Sequence, residues 1–158
     1  MKQVVIGASI ISFILATGFD TEDGAAIRQG VHIEWYRTVS PGNSGEAIFV
    51  WSDTRYGMRN IFAHKINQDG ELLWGESGAI VTDLPGRQED PVSITDGNGG
   101  VFVAWVDYRF DEQGDIFFQH LDNNGDILLD SNGVALAQVE GKQITINMCT
   151  DSLGGVFV

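Results

Sequence analysis

Two-residue alternation and short runs that are apolar on both faces organise this chain. Over Val101 to Tyr108, an extended strand puts Val101, Val103 and Trp105 on one face and Phe102, Ala104 and Val106 on the other. A strand apolar on both sides is buried on both sides. Ahead of such strands the pattern predicts an extended stretch, such as Gln143 to Thr150, that turns at Asp151 to Gly154 or at Asp96 to Gly99 to make a hairpin. A third strand, Ile116 to Asp122, is predicted to meet a fourth, Ile127 to Leu129, through Asn123-Asn124-Gly125. The equivalent Gln68-Asp69-Gly70 holds the Asp-Gly of a tight hairpin turn. Four antiparallel strands result.

The same pattern returns when the sequence is slid against itself by 54 to 55 positions. Ala47-Ile48-Phe49-Val50-Trp51-Ser52-Asp53-Thr54-Arg55 then lies over Val101-Phe102-Val103-Ala104-Trp105-Val106-Asp107-Tyr108-Arg109, and both carry W-x-D-x-R. Asn60-Ile61-Phe62-Ala63 lies over Asp115-Ile116-Phe117-Phe118, Gly70 over Gly125, and Ser77-Gly78 over Asn132-Gly133. Gly99-Gly100-Val101-Phe102-Val103 recurs without change as Gly154-Gly155-Val156-Phe157-Val158.

The predicted fold class is therefore all-β: a β-propeller-like repeat with four antiparallel strands per blade of roughly 55 residues, in an incomplete ring of about two and a half blades. Blade 1 is expected over 31–86 and blade 2 over 87–141, with a truncated start of blade 3 over 142–158. Immunoglobulin-like sandwiches need about 100 residues per module, and β-helix coils are far shorter than this period. A β-solenoid or trefoil-like arrangement is the remaining alternative.

Composition adds turns, charge and an address. Gly is 20 of 158 residues and Pro only 3, which suits many tight turns rather than a Pro-rich linker. With 9 Lys+Arg against 22 Asp+Glu, the net charge of −13 repels phosphate backbones and anionic lipid, so nucleic-acid binding and peripheral membrane attachment are disfavoured. The acids are dispersed along the chain, which suits a solvated surface. Lys2 precedes an uncharged stretch from Gln3 to Phe19 with the apolar run Ile10, Ile11, Phe13, Ile14 and Leu15, and Ala16-Thr17-Gly18 offers small residues for cleavage before Phe19. This predicts a secretory signal peptide over 1–18 and a linker over 19–30, with a secreted or cell-surface location and no stable membrane insertion after cleavage. The alternative is a buried first strand. The lone cysteine, Cys149, has no partner for an internal disulfide, and its alignment with Ile94 predicts a small buried hydrophobe.

On these residues the chain resembles the blade repeat of large secreted bacterial propeller proteins. The resemblance runs from about Gly30 to Val158 and rests on Gly99-Gly100-Val101-Phe102-Val103-Ala104-Trp105-Val106-Asp107-Tyr108-Arg109, then Asp115-Ile116-Phe117-Phe118-Gln119, and later Asn132-Gly133-Val134. That family's repeat reads approximately G-G-x-x-V-A-W-x-D-x-R, then D-I-Y-x-Q, then a W-x-x-x-G-V closing strand. Phe117 and Phe118 replace its Tyr-Ala, Asn60 replaces the Asp in the first copy, and Leu129 stands where the first copy has Trp74. The resemblance implies export and a blade fold, and little about activity.

Candidate chemistry is sparse. Trp105, Asp107 and Arg109 share one strand face, with acid and base close enough to pair, and Trp51, Asp53 and Arg55 repeat the set. A ligand clamp is conceivable, but a feature present in every blade reads more simply as a packing and ion-pair device between blades. Asp122-Asn123-Asn124-Gly125-Asp126 offers oxygens to a hard cation, yet its Gly stands at the wrong position for an EF-hand, and a hairpin turn is the better reading. Asp69-Gly70-Glu71 lacks the spacing of a sialidase-type Asp-box turn. His32, His64 and His120 have no metal-ligand spacing and are expected to be solvated strand residues. No nucleophile elbow, P-loop or dinucleotide fingerprint is present. No catalytic residue, metal or cofactor is predicted.

Residues that break the repeat are the better binding candidates: Glu34, Trp35, Tyr36 and Arg37, which combine an acid, a base and two aromatics, then Met58-Arg59 and Phe110-Asp111-Glu112-Gln113. The first group also fits the first strand of blade 1. The function expected is an exported, non-enzymatic binding or scaffold module with an unknown protein or glycan partner. The rivals are a non-catalytic fragment of a larger extracellular carbohydrate-active enzyme and a structural stalk. Two and a half blades do not close a ring, so either the remaining blades of a longer chain or self-association is expected to complete it.

Overall fold

The computed structural model describes residues 4–6, 9–11, 26–28, 34–151 and 153–158, with side chains described from Arg37 onward. Every element among these residues is a β-strand. Strands β1 (Val4–Ile6), β2 (Ser9–Ile11) and β3 (Ala26–Arg28) form a small sheet, with β1 antiparallel to β2 and parallel to β3. The expected cleavage point at 16–19 lies outside the described residues, as does His32. Of the expected linker, only the strand Ala26–Arg28 is described.

Two four-stranded antiparallel sheets follow, each a simple meander. The first runs β4 (Glu34–Pro41), β5 (Ala47–Tyr56), β6 (Met58–Ile66) and β7 (Ala79–Thr82). The second repeats it with β8 (Gln88–Thr95), β9 (Val101–Asp107), β10 (Asp115–Leu121) and β11 (Val134–Ala137). A hairpin of β12 (Cys149–Thr150) and β13 (Val156–Phe157) ends the described chain, and among the described residues the sheets form no closed ring. Both sheets carry a bulge in their first strand, between Trp35 and Arg37 and between Glu89 and Val92.

Strand alternation explains how the sheets pack. Ile48, Val50, Ile61, Ala63 and Val81 of the first sheet share one cluster with Val101, Val103, Trp105, Phe117 and Leu121 of the second. Trp105 takes part, whereas its counterpart Trp51 points to the opposite side of β5 from Ile48 and Val50. The tryptophan-bearing face of one unit thus covers the other face of its neighbour. The most extensive contact between the sheets joins the first strands, β4 and β8, where the hydroxyls of Ser40 and Ser93 lie 2.7 Å apart.

A recurrent turn joins strands. In each, an Asp or Asn side chain caps two backbone N–H groups: Oδ1 of Asn67 takes those of Asp69 and Glu71, Asp96 those of Asn98 and Gly100, Asp122 those of Asn124 and Asp126, and Asp151 those of Leu153 and Gly155. The 122–126 loop is therefore a turn closed by its own backbone. Burial pushes the Asp122 carboxyl up, but the backbone N–H groups of Asp126 and Asn124 outweigh it and hold the group below its ordinary value.

Four expectations need correction. Ile127 to Leu129 is not the fourth strand; Ile127 makes only an isolated bridge to Leu121, and the ladder forms at Val134–Ala137. The N–H of Leu129 is taken by the Gln119 side chain and that of Leu128 by the His120 carbonyl, so the run wraps over β10 rather than pairing along it. Gln143 to Met148 forms no ladder, and β12 is confined to Cys149–Thr150. Cys149 is exposed, in a hairpin that no third strand extends among the described residues. His64 is fully buried rather than solvated.

Candidate functional site

The W-x-D-x-R residues form the same corner twice. Trp51 Nε1 donates to Asp53 Oδ2 and Trp105 Nε1 to Asp107 Oδ2, each at 2.9 Å. The backbone N–H of Arg55 and of Arg109 donates to the other carboxylate oxygen, also at 2.9 Å. Each guanidinium closes the ion pair and reaches on to a loop carbonyl, Arg55 Nη1 to Ser77 O at 3.1 Å and Arg109 Nη1 to Asn132 O at 2.9 Å. It also lies over the third-strand ring, 3.7 Å from the Phe62 centroid and 4.1 Å from that of Phe117. Burial pushes the Asp53 carboxyl up, but the bonds from Arg55 and Trp51 hold it below its ordinary value. These polar bonds stay within one unit, while the Trp105 and Phe117 rings of the second unit enter the packing between sheets.

One difference separates the corners. Arg55 Nε donates to both Asp53 oxygens at 3.0 Å, whereas Arg109 Nε is buried and makes no hydrogen bond among the described residues. The loop that follows also differs. Gly57 makes a tight turn after Tyr56, while residues 108–114 form a longer loop in which Asp111 Oδ1 caps the N–H groups of Gln113 and Gly114.

Beside Arg109 lies an open cleft of about 530 Å³, lined by Leu84, Pro85, Phe110, Phe117, Asn132 and Gln138 among others. Phe110 is 63% exposed and stacks on Phe117 at 6.1 Å between centroids and 28° between planes. Tyr56 holds the same repeat position in the first sheet, is 61% exposed and meets Phe62 edge-on at 5.9 Å. A second cleft, of about 420 Å³, separates the turn at Thr95 to Asn98 from that at Leu153 to Gly155.

The binding candidates Glu34, Trp35, Tyr36 and Arg37 all fall in β4, the first strand of the first sheet, at its bulge. Of these only the Arg37 side chain is described, and it is exposed. At the equivalent bulge of β8, Asp90 has a left-handed φ of 50° before Pro91, an uncommon backbone for such a residue. Arg59 and Arg87 pair with the neighbouring Glu89. Burial, then the Glu89 charge, pushes the Asp90 carboxyl above its ordinary value.

Sequence reasoning missed the third strand's role. Lys65 is buried and its Nζ donates across to the second sheet, to Gly99 O at 2.9 Å and Asn123 Oδ1 at 2.7 Å, with Glu46 at 3.4 Å. Trp74 Nε1 donates to Asn123 O at 3.0 Å beside it. His64 Nε2 donates to Gly75 O at 2.7 Å, as Gln119 Nε2 donates to Asp130 O at 2.8 Å one unit later. Burial pushes the His64 pKa down. The signal available was the repeat alignment itself, which sets His64 over Gln119. Among the described residues no group of three or more His, Cys, Asp or Glu is placed to hold a metal. No family model, curated protein or solved structure matches the chain.

Proposed function

We propose that this chain is part of an exported β-propeller, an incomplete ring of about two and a half blades acting as a non-enzymatic binding or scaffold module. What carries the reading is the head-to-tail stacking of successive sheets, tryptophan face onto opposite face, with closest approach at the first strands. Such an interface is heterologous: repeated with a constant rotation it closes a ring, and repeated without closure it makes a stack. The uncharged apolar run near the amino terminus supports export.

Small-angle scattering and electron microscopy of the protein, with any adjoining repeats its coding sequence holds, test the architecture. A toroid is expected; an elongated stack overturns the ring. Incubation with a panel of polysaccharides tests the non-enzymatic role. No released sugar is expected, and turnover would instead place the chain in a carbohydrate-active enzyme.

A further inference from the structure

We infer that the cleft beside Arg109 is a binding site for a neutral sugar ring, with Phe110 as its stacking platform. This rests on the reading of the chain as a binding module and names that module's ligand class. Phe110 is mostly exposed, yet it is not loose: Phe117 backs its ring from within the sheet, and the Asp111 turn fixes the loop that carries it. A supported aromatic face open to solvent carries the negative side of its quadrupole outward, and the polarised C–H groups of a pyranose face fit it. A volume of about 530 Å³ is within the range of small-ligand sites.

Charge narrows the ligand. Among the described residues Arg109 is the only charged one lining the cleft, and its ion pair with Asp107 neutralises it. The chain's net charge of −13 opposes uronic or sulfated glycans. The polar groups that remain suit hydroxyls: the exposed amide of Asn132, which both donates and accepts, and that of Gln138, which also bonds the Asp115 carboxyl. The exposed aromatic directly after each W-x-D-x-R, Tyr56 and then Phe110, suits a ligand that itself repeats.

The test is calorimetric titration of the full chain with neutral gluco-, manno- and galacto-hexasaccharides, a uronic hexasaccharide and a short tyrosine peptide, with chromatography of each mixture for cleavage products. At least one neutral hexasaccharide is expected to bind with Kd of ~1 mM or tighter, and the uronic one more weakly. Phe110→Ala is expected to weaken binding about five- to tenfold with unchanged circular dichroism. Phe110→Leu, which keeps apolar bulk without a ring face, is expected to lose as much, and Phe110→Trp to keep the affinity. Absence of neutral-sugar binding, binding indifferent to Phe110, or Phe110-dependent binding of the peptide in preference to every sugar each overturns the site. Release of cleaved sugar would overturn the non-enzymatic reading and leave the site standing.

Discussion

The first and second sheets solve the same problem with the same strands but anchor themselves differently on the third strand. Their Trp-Asp-Arg corners share the indole bond at 2.9 Å, the backbone bond to the carboxylate and the reach to a loop carbonyl, and differ at the guanidinium Nε. One residue set away, the first sheet uses a buried lysine that crosses to Gly99 and Asn123, while the second has His120, half-buried and 2.9 Å from Asp96 within its own unit. His64 and Gln119, by contrast, differ in chemistry and make the same bond. A repeat therefore constrains bonds inside a unit tightly, and the joint between units is where the copies diverge.

The largest expected effect tests the shared part. Asp53→Ala and Asp107→Ala each strand a buried guanidinium and an indole N–H, and each is expected to cost about 3–5 kcal/mol in urea unfolding. Losses differing by more than about 1.5 kcal/mol would show that the corners are not equivalent. Next comes the divergent joint. Lys65→Met leaves Gly99 O and Asn123 Oδ1 without their donor and is expected to cost about 2–4 kcal/mol, while His120→Met, at a half-buried site, is expected to cost about 1 kcal/mol or less. Equal losses would erase the contrast between the joints.

The smallest effect is expected from His64→Gln, which copies Gln119 and should change stability at neutral pH by less than about 1 kcal/mol. Its signature is in the pH profile. The folded pKa of His64 lies below the ordinary 6.5, so the unfolded chain binds the proton more readily. That contribution is complete above about 6.5 and is lost as pH falls below it towards the folded value. The variant is expected to flatten this part of the curve; an unchanged slope would assign the acid sensitivity to other groups.

How much of this was legible in the sequence depends on the range of the interaction. The corner could be read because strand alternation is rigid: residues at i, i+2 and i+4 share a face whatever surrounds them. The fourth strand could not, because Ile127 to Leu129 and Val134 to Ala137 are both short apolar runs. The choice between them falls to Gln119, which captures the Leu129 N–H, and to Gly133, whose φ of 72° and tight fit under the Trp105 ring start the true strand. Burial of His64 and Lys65 is set by partners 11 and 34 residues away, Gly75 and Gly99, which no local pattern reveals. The cleft at Phe110 draws Leu84 and Pro85 from the connection between sheets, so its ring was visible in the sequence and its walls were not.

Because each sheet is a meander whose ladders close among strands neighbouring in sequence, the chain can mature in the order in which it emerges. The first sheet has all its strands once Thr82 is free, but the residues that cover its apolar face extend to Leu121 in the second. At ribosomal speeds of about 5–20 residues per second, that face stays wet for seconds. A nascent chain paused in this interval would be a target for chaperones and proteases, and any slowing of synthesis between the two units would lengthen the exposure.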